Sequence, residues 1–231
     1  MEVDIGVIGA MDAEVNAIIE MLAERAVCTV SGIKFYTGTL FSRKVAVAKC
    51  GIGKVFAAMC AEAMILNFTP KLLVNTGVGG AVDPKLSPLD IVVAERLVQH
   101  DMDTTALGDE AGLISGINKV YFDADGRAID VLSSSAAGLG LSLTVGTVAT
   151  GDKFISSGQD KERIRTLFGA SACEMEGGAI AHVAYVNGVP FAVVRAISDS
   201  ADGHAEMDYP TFLASAAKNS TALTLALIEK Y

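Results

Sequence analysis

A chain of 231 residues is long enough to bury a full core, so a single domain spanning residues 1–231 is expected. Hydrophobic residues make up 51% of it, and apolar surface left over from the core suits a subunit interface. A net charge of −9 argues against a nucleic-acid binder, which needs clustered Lys and Arg, and favours a small-molecule ligand.

From the N-terminus, IGVIGA (5–10) reads as a buried strand, and Val15, Ile18, Ile19 and Leu22 then recur at helical spacing. Glu2 and Asp4 stand where a secretory signal carries Lys or Arg, so a first strand rather than a signal, in a cytoplasmic chain, is expected. IKFYTGTL and KVAVAKC pair across Phe41 and Ser42, and Gly51-Ile52-Gly53 turns into a helix from about Lys54 to Asn67. KLLVNTG is a strand running into the glycine-rich NTGVGGAV, and DIVVAERLV is another. Residues 99–121 are polar and irregular.

A helix over about 123–137 follows, then the strand LTVGTVATG, a short charged helix over 160–167, and a helix at Glu174-Met175-Glu176. The strand PFAVVRAIS and a helix after Pro210 end the chain. The long uncharged runs, 131–151 and 177–194, are crowded with Ser, Gly and Thr or broken by Asn187-Gly188 and Pro190, so no membrane span is expected. Cys28, Cys50, Cys60 and Cys173 lack metal or redox spacing and read as small buried hydrophobes. His100, His182 and His204 lie too far apart to suggest a metal site, and His182 reads as a structural mid-helix residue.

This alternation predicts an α/β fold, a three-layer αβα sandwich around a mixed, mostly parallel sheet. Ligands of such sheets sit at the carboxyl ends of strands. Five loops bring polar residues there: Glu14, Ile52, the stretch Asn75 to Ala81 with Val78 and Gly79, Gly151 to Ile155, and Arg195 to Asp199.

Glu176 lies over the buried side of its helix, where it is either a dipole-favoured first-turn acid or a ligand contact; Glu174 reads as a strand-end polar group. Glu14, with Asp12 as the cap of its helix and Met11 and Ile18 beside it, is either a dipole-favoured first-turn acid or a general base at the mouth of the first strand. Arg195, Ser198 and Asp199 form either a strand-end ion pair or an acid held in a dry loop with its pKa raised. GIGKVFA and NTGVGGAV are poor matches to phosphate-binding loops but suit close approach of backbone to a ligand.

In order along the chain, IGAMDAEV, CGIGKV, NTGVGG, TGDKFI, CEMEGGAIAHV and VVRAISD resemble the 5'-methylthioadenosine/S-adenosylhomocysteine nucleosidases, within the purine nucleoside phosphorylase-like fold. The resemblance implies a homodimeric hydrolase of adenine thionucleosides that uses no metal or organic cofactor. By motif matching, Glu14 would activate water, and Asp199, supported by Ser198, would share a proton with the adenine N7. Glu176 would hold the ribose hydroxyls, Met175 would pack on the sugar, Phe154 would stack on the base, the Ile155 backbone would read its edge, and Arg195 would orient the water. The sequence departs from the family at Val78, where Ser is frequent, at Gly177-Gly178, and at Tyr209, where Phe lines the alkylthio pocket; Leu107 matches a position that the partner subunit contributes. A phosphorylase and a nucleoside-binding module without turnover are the alternatives.

Overall fold

Strand β1 (Ile5–Gly9) is buried along its whole length, which requires cover on both faces. In the computed structural model, which describes residues 1–202 and 205–231, it lies between two parallel neighbours, β4 (Arg43–Lys49) and β5 (Leu72–Ala81). β5 also runs parallel to β10 (Phe191–Asp199). Outside β4, the antiparallel strands β3 (Ile33–Leu40) and β2 (Ala23–Val30) complete one edge. A second parallel group, β6 (Ile91–Gln99), β8 (Leu143–Thr150) and β9 (Ala170–Glu174), joins the first through antiparallel pairs β10–β6 and β5–β9. Strands β5, β10, β6, β8 and β9 thereby close on themselves, and the short β7 (Tyr121–Asp123) pairs with β6.

Helices cover both faces, as the three-layer expectation requires. Ile5 and Val7 of β1 pack with α1 (Asp12–Met21), α3 (Gly126–Leu139) and α6 (Ala205–Lys230) through Val15, Ile18, Leu132 and Leu223. Ile8, one residue out of phase, packs on the opposite side with α2 (Lys54–Phe68) and α5 (Gly177–Asn187) through Met64 and Ile180. Ile164 and Phe168 of α4 (Gly158–Phe168) belong to a third cluster with Val98 and Ala149.

Several expectations need correction. Residues 75–81 are not a loop but the second half of β5, paired to β10 and β9, because glycines there let neighbours close in on both faces. Residues 195–199 likewise belong to β10. The last helix starts at Ala205 and runs through Pro210, which costs it one backbone hydrogen bond. Asp12 does not cap α1: Met11 is the N-cap, and Asp12 is paired with Lys49 at 2.8 Å. Cys28 is exposed, since it lies on the edge strand β2; the other three cysteines are buried. His182 stacks on Phe122 with ring centroids 5.2 Å apart, and His204 lies outside the described residues. Among the described residues, no helix is long and apolar enough to cross a membrane.

Candidate active site

The carboxyl ends of β1, β5, β9 and β10 and the amino ends of α1, α5 and α6 surround a cavity of about 440 Å³. Glu14 and Asp199, from opposite ends of the chain, both line it.

Glu14 occupies the first turn of α1, and its carboxylate turns back over the helix start. Its Oε2 accepts hydrogen bonds from the backbone N–H groups of Ala10 (2.7 Å) and Met11 (3.0 Å), and Oε1 from that of Val78 (3.1 Å). Burial raises the Glu14 pKa above the ordinary glutamate value, while the Arg195 charge and these three amides pull the other way. The group is thus a well-oriented base whose charged form is held by fixed donors.

Glu174, read from sequence as a strand-end polar group, is a wall of the cavity and its most heavily bonded acid. Its Oε2 accepts from Arg195 Nη2 (2.5 Å) and from the backbone N–H of Glu176 (2.9 Å) and Gly177 (2.6 Å), while the Thr150 hydroxyl donates to Oε1. Burial pushes its pKa up, but Arg195 and these donors outweigh burial and hold it below the ordinary value. Glu176, the N-cap residue of α5, accepts from the Gly53 N–H at 2.8 Å. Burial and then the Glu174 charge push Glu176 up to about 7.

Asp199 ends β10. The Ser198 hydroxyl donates to its Oδ2 (2.8 Å) and the Ala201 N–H to its Oδ1 (2.9 Å). Burial raises its pKa against those two donors, and the negative charges of Asp208 and Asp202 raise it further. Burial raises both acids; Glu14 has a cation and three amides opposing it, whereas Asp199 has two donors opposing it and two anions adding to it. That contrast favours a charged base at one end of the cavity and a protonated acid at the other.

Of the residues singled out from sequence, Met11, Ile52, Val78, Gly79, Phe154, Ile155, Met175, Ser198 and Tyr209 line the same cavity with the four acids. Tyr209 meets Phe154 edge-on, ring centroids 5.7 Å apart, and its hydroxyl lies 3.2 Å from Met11 Sδ. Two residues fall elsewhere. Arg195 is 1% exposed and stands behind the wall, held by Glu174 and the Asn75 side chain. Leu107, in a single helical turn (Thr105–Leu107), is 83% exposed and away from the cavity. Sequence reasoning did not single out Cys173 and Glu206 in the lining or Thr150 behind it, while Lys153 and Asn75 fall within the rim stretches 151–155 and 75–81. Thr150 and Cys173 stand within TGDKFI and CEMEGGAIAHV, which were the available signal, whereas Glu206 lies outside every quoted motif.

The phosphorylase superfamily model matches residues 4–229. A curated Staphylococcus aureus relative, a 5'-methylthioadenosine/S-adenosylhomocysteine nucleosidase, is 39% identical over 227 residues, covering 98% of this chain and 99% of its own. The solved nucleosidase of that name from Neisseria meningitidis, in complex with methylthio-immucillin-A, is similar with a TM-score of 0.95 and 31% identity over 99% of both chains. A Helicobacter pylori futalosine hydrolase is similar with a TM-score of 0.94 and 32% identity over 99% of this chain and 98% of its own.

Proposed function

The chain belongs to the phosphorylase superfamily, and on that premise we propose that it hydrolyses the N-glycosidic bond of 5'-methylthioadenosine and S-adenosylhomocysteine, releasing adenine and a 5-thioribose. The observation that carries this reading is that Glu14 and Asp199, from opposite ends of the chain, line one cavity, Glu14 beside the Arg195 charge and Asp199 beside further anions.

As the glycosidic bond breaks, positive charge grows on the ribose and the purine takes the bonding electrons. Protonated Asp199 gives its proton to N7 of the leaving adenine, with Ser198 fixing the orientation of its carboxyl. Glu14 accepts a proton from water, whose oxygen forms the new bond to the sugar. Ionised Glu176 holds the ribose hydroxyls, and Met175 packs on the sugar. Phe154 stacks on the base, the Ile155 backbone reads its edge, and Met11, Ile52, Val78, Gly79 and Tyr209 line the remaining space. Arg195 acts through Glu174, keeping a negative wall beside the developing positive charge.

Water rather than phosphate is the nucleophile. Ionised Glu14, Glu174, Glu176 and Glu206 line the cavity, and among the described residues Lys153 is the cation that faces them, its ammonium paired with Asp160 at 2.6 Å. Such a wall repels an anion, and a phosphate site needs several cations or a nest of amides. The similarity to a futalosine hydrolase supports aminodeoxyfutalosine as a further substrate. Exposed Val55, Phe56 and Met59 on α2 and Leu107 fit a homodimer in which Leu107 completes the cavity of the second copy, in a cytoplasmic enzyme of methionine salvage.

The test is incubation with 5'-methylthioadenosine with and without phosphate, followed by product separation. Adenine and free methylthioribose under both conditions are expected. A sugar phosphate formed only with phosphate would make the protein a phosphorylase, and binding without adenine release would make it a binding module.

A further inference from the structure

Two chain segments that supply the cavity, one running from Ile52 to Lys54 and one from Asp152 to Ile155, meet outside its wall at a single carboxylate. Asp101, just beyond β6, accepts from Lys54 Nζ with Oδ1 (2.6 Å) and from the Asp152 backbone N–H with Oδ2 (2.9 Å). Asp152 closes the ring, its Oδ1 accepting from the Lys54 backbone N–H at 2.8 Å. Lys54 Nζ also reaches Gln99 Oε1, at 3.3 Å.

Two parts of the proposed substrate site hang from this ring. Gly53, next to Lys54, donates its N–H to Glu176. Phe154 and Ile155, just past Asp152, line the cavity. Gly53 has a φ of 98°, and a Cβ on it would stand 3.0 Å from Asp152 Oδ1, so both the turn and the room for Asp152 call for glycine. The start of the Asp152 loop is also packed tightly: a Cβ on Gly151 would stand 2.4 Å from Nε2 of the buried His100.

We propose that Asp101, Lys54 and Asp152 are positioning residues that register the ribose contact at Glu176 against the base contact at Phe154 and Ile155. This rests on the roles given above to those three cavity residues. The side chains of Lys54 and Asp101 are 21% and 29% exposed, and a partly solvated ion pair contributes little to stability. Its geometric effect is larger, because displacing a substrate contact by about 1 Å costs on the order of a hundredfold in rate. The ring joins parts of the chain far apart in sequence, so each segment is held by the other two.

The test compares Asp101→Ala, Lys54→Met and Asp152→Ala with wild type. Lys71→Met is the control, since it removes another ion pair, to Asp4 at 2.8 Å, at the opposite end of the strands. Each ring variant is expected to raise KM for 5'-methylthioadenosine about tenfold or more, with a smaller fall in kcat. The acidic limb of the kcat/KM profile should also move to higher pH, because Glu176 loses a well-placed donor while still facing Glu174, Glu14 and Arg195. Asp101→Asn, which keeps an acceptor for the Asp152 N–H, and Lys54→Arg should recover part of the loss, and they keep the test readable if an alanine variant does not fold. Lys71→Met should leave KM unchanged. Ring variants with wild-type KM and pH profile, or with lowered melting temperature alone, would overturn the proposal. Should wild type release no adenine, the assignment of function fails separately. The ring is then judged by calorimetric Kd for 5'-methylthioadenosine: weakened binding in the variants supports it, and unchanged binding overturns it.

Discussion

A Cβ on Gly77 would stand 2.5 Å from Glu14 Oε1, inside the space that the carboxylate fills. Three residues on, a Cβ on Gly80 would stand 2.8 Å from Asp199 Oδ1. The glycines of β5 thus leave room for both proposed catalytic acids. Gly77→Ala is predicted to push Glu14 off the amides of Ala10, Met11 and Val78 and to lower kcat by about a hundredfold, the scale of a lost acid–base group. Steady-state kinetics beside a circular dichroism spectrum checks this, and wild-type kcat in a folded variant would refute it.

Glu174→Gln is predicted to be the most destabilising single change in the cavity. It leaves the Arg195 guanidinium buried without its counter-charge, and breaking a buried pair in this way costs about 3–5 kcal/mol. It also removes an anion that raises Glu176, so the pKa of Glu176 should fall. Denaturant titration reads the first effect and the acidic limb of kcat/KM the second. A variant as stable as wild type would mean that Asn75 and the neighbouring carbonyl oxygens suffice for Arg195.

Glu174 also illustrates what the sequence could reveal. Strands with long apolar runs, such as IGVIGA and PFAVVRAIS, and helices with a clear start, such as the one at Lys54, were legible from local pattern. The strand bearing Glu174 was not: ASACE is five residues long, buried throughout and paired to β5 and β8, so it shows no alternation. The edge strand β2 is exposed nearly throughout and has no apolar face to betray it. Family motifs brought Glu14, Glu176 and Asp199 together on paper. The placing of Arg195 behind Glu174 depends on burial and on Asn75, which no spacing along the chain encodes.

Glu176 should make stability depend on pH in an unusual direction for a carboxylate. Its pKa in the fold is about 7, against an ordinary 4.5, so the folded state favours the protonated form. The associated stability is fully present below about pH 4.5 and is lost as pH rises through about 7, on the order of 3 kcal/mol at 1.36 kcal/mol per unit. Glu14 and Asp199, also raised, act with the same sign; Glu174, lowered, acts with the opposite one. Melting temperatures from about pH 5 to about pH 8 are predicted to fall more steeply in wild type than in Glu176→Gln. Parallel slopes in the two proteins would show that Glu176 is not the group responsible.

Tyr209 separates ring packing from hydroxyl chemistry at the cavity mouth. Its ring meets Phe154 at 80°, an edge-to-face pair, while among the described residues its hydroxyl reaches the weak acceptor Met11 Sδ. Tyr209→Phe is therefore predicted to keep KM for 5'-methylthioadenosine close to wild type. Tyr209→Ala removes a contact worth about 0.5–1.5 kcal/mol beyond burial, which corresponds to a rise in KM of up to roughly tenfold. If the Phe variant lost as much as the Ala variant, the hydroxyl and not the ring would be holding the substrate or Phe154 in place.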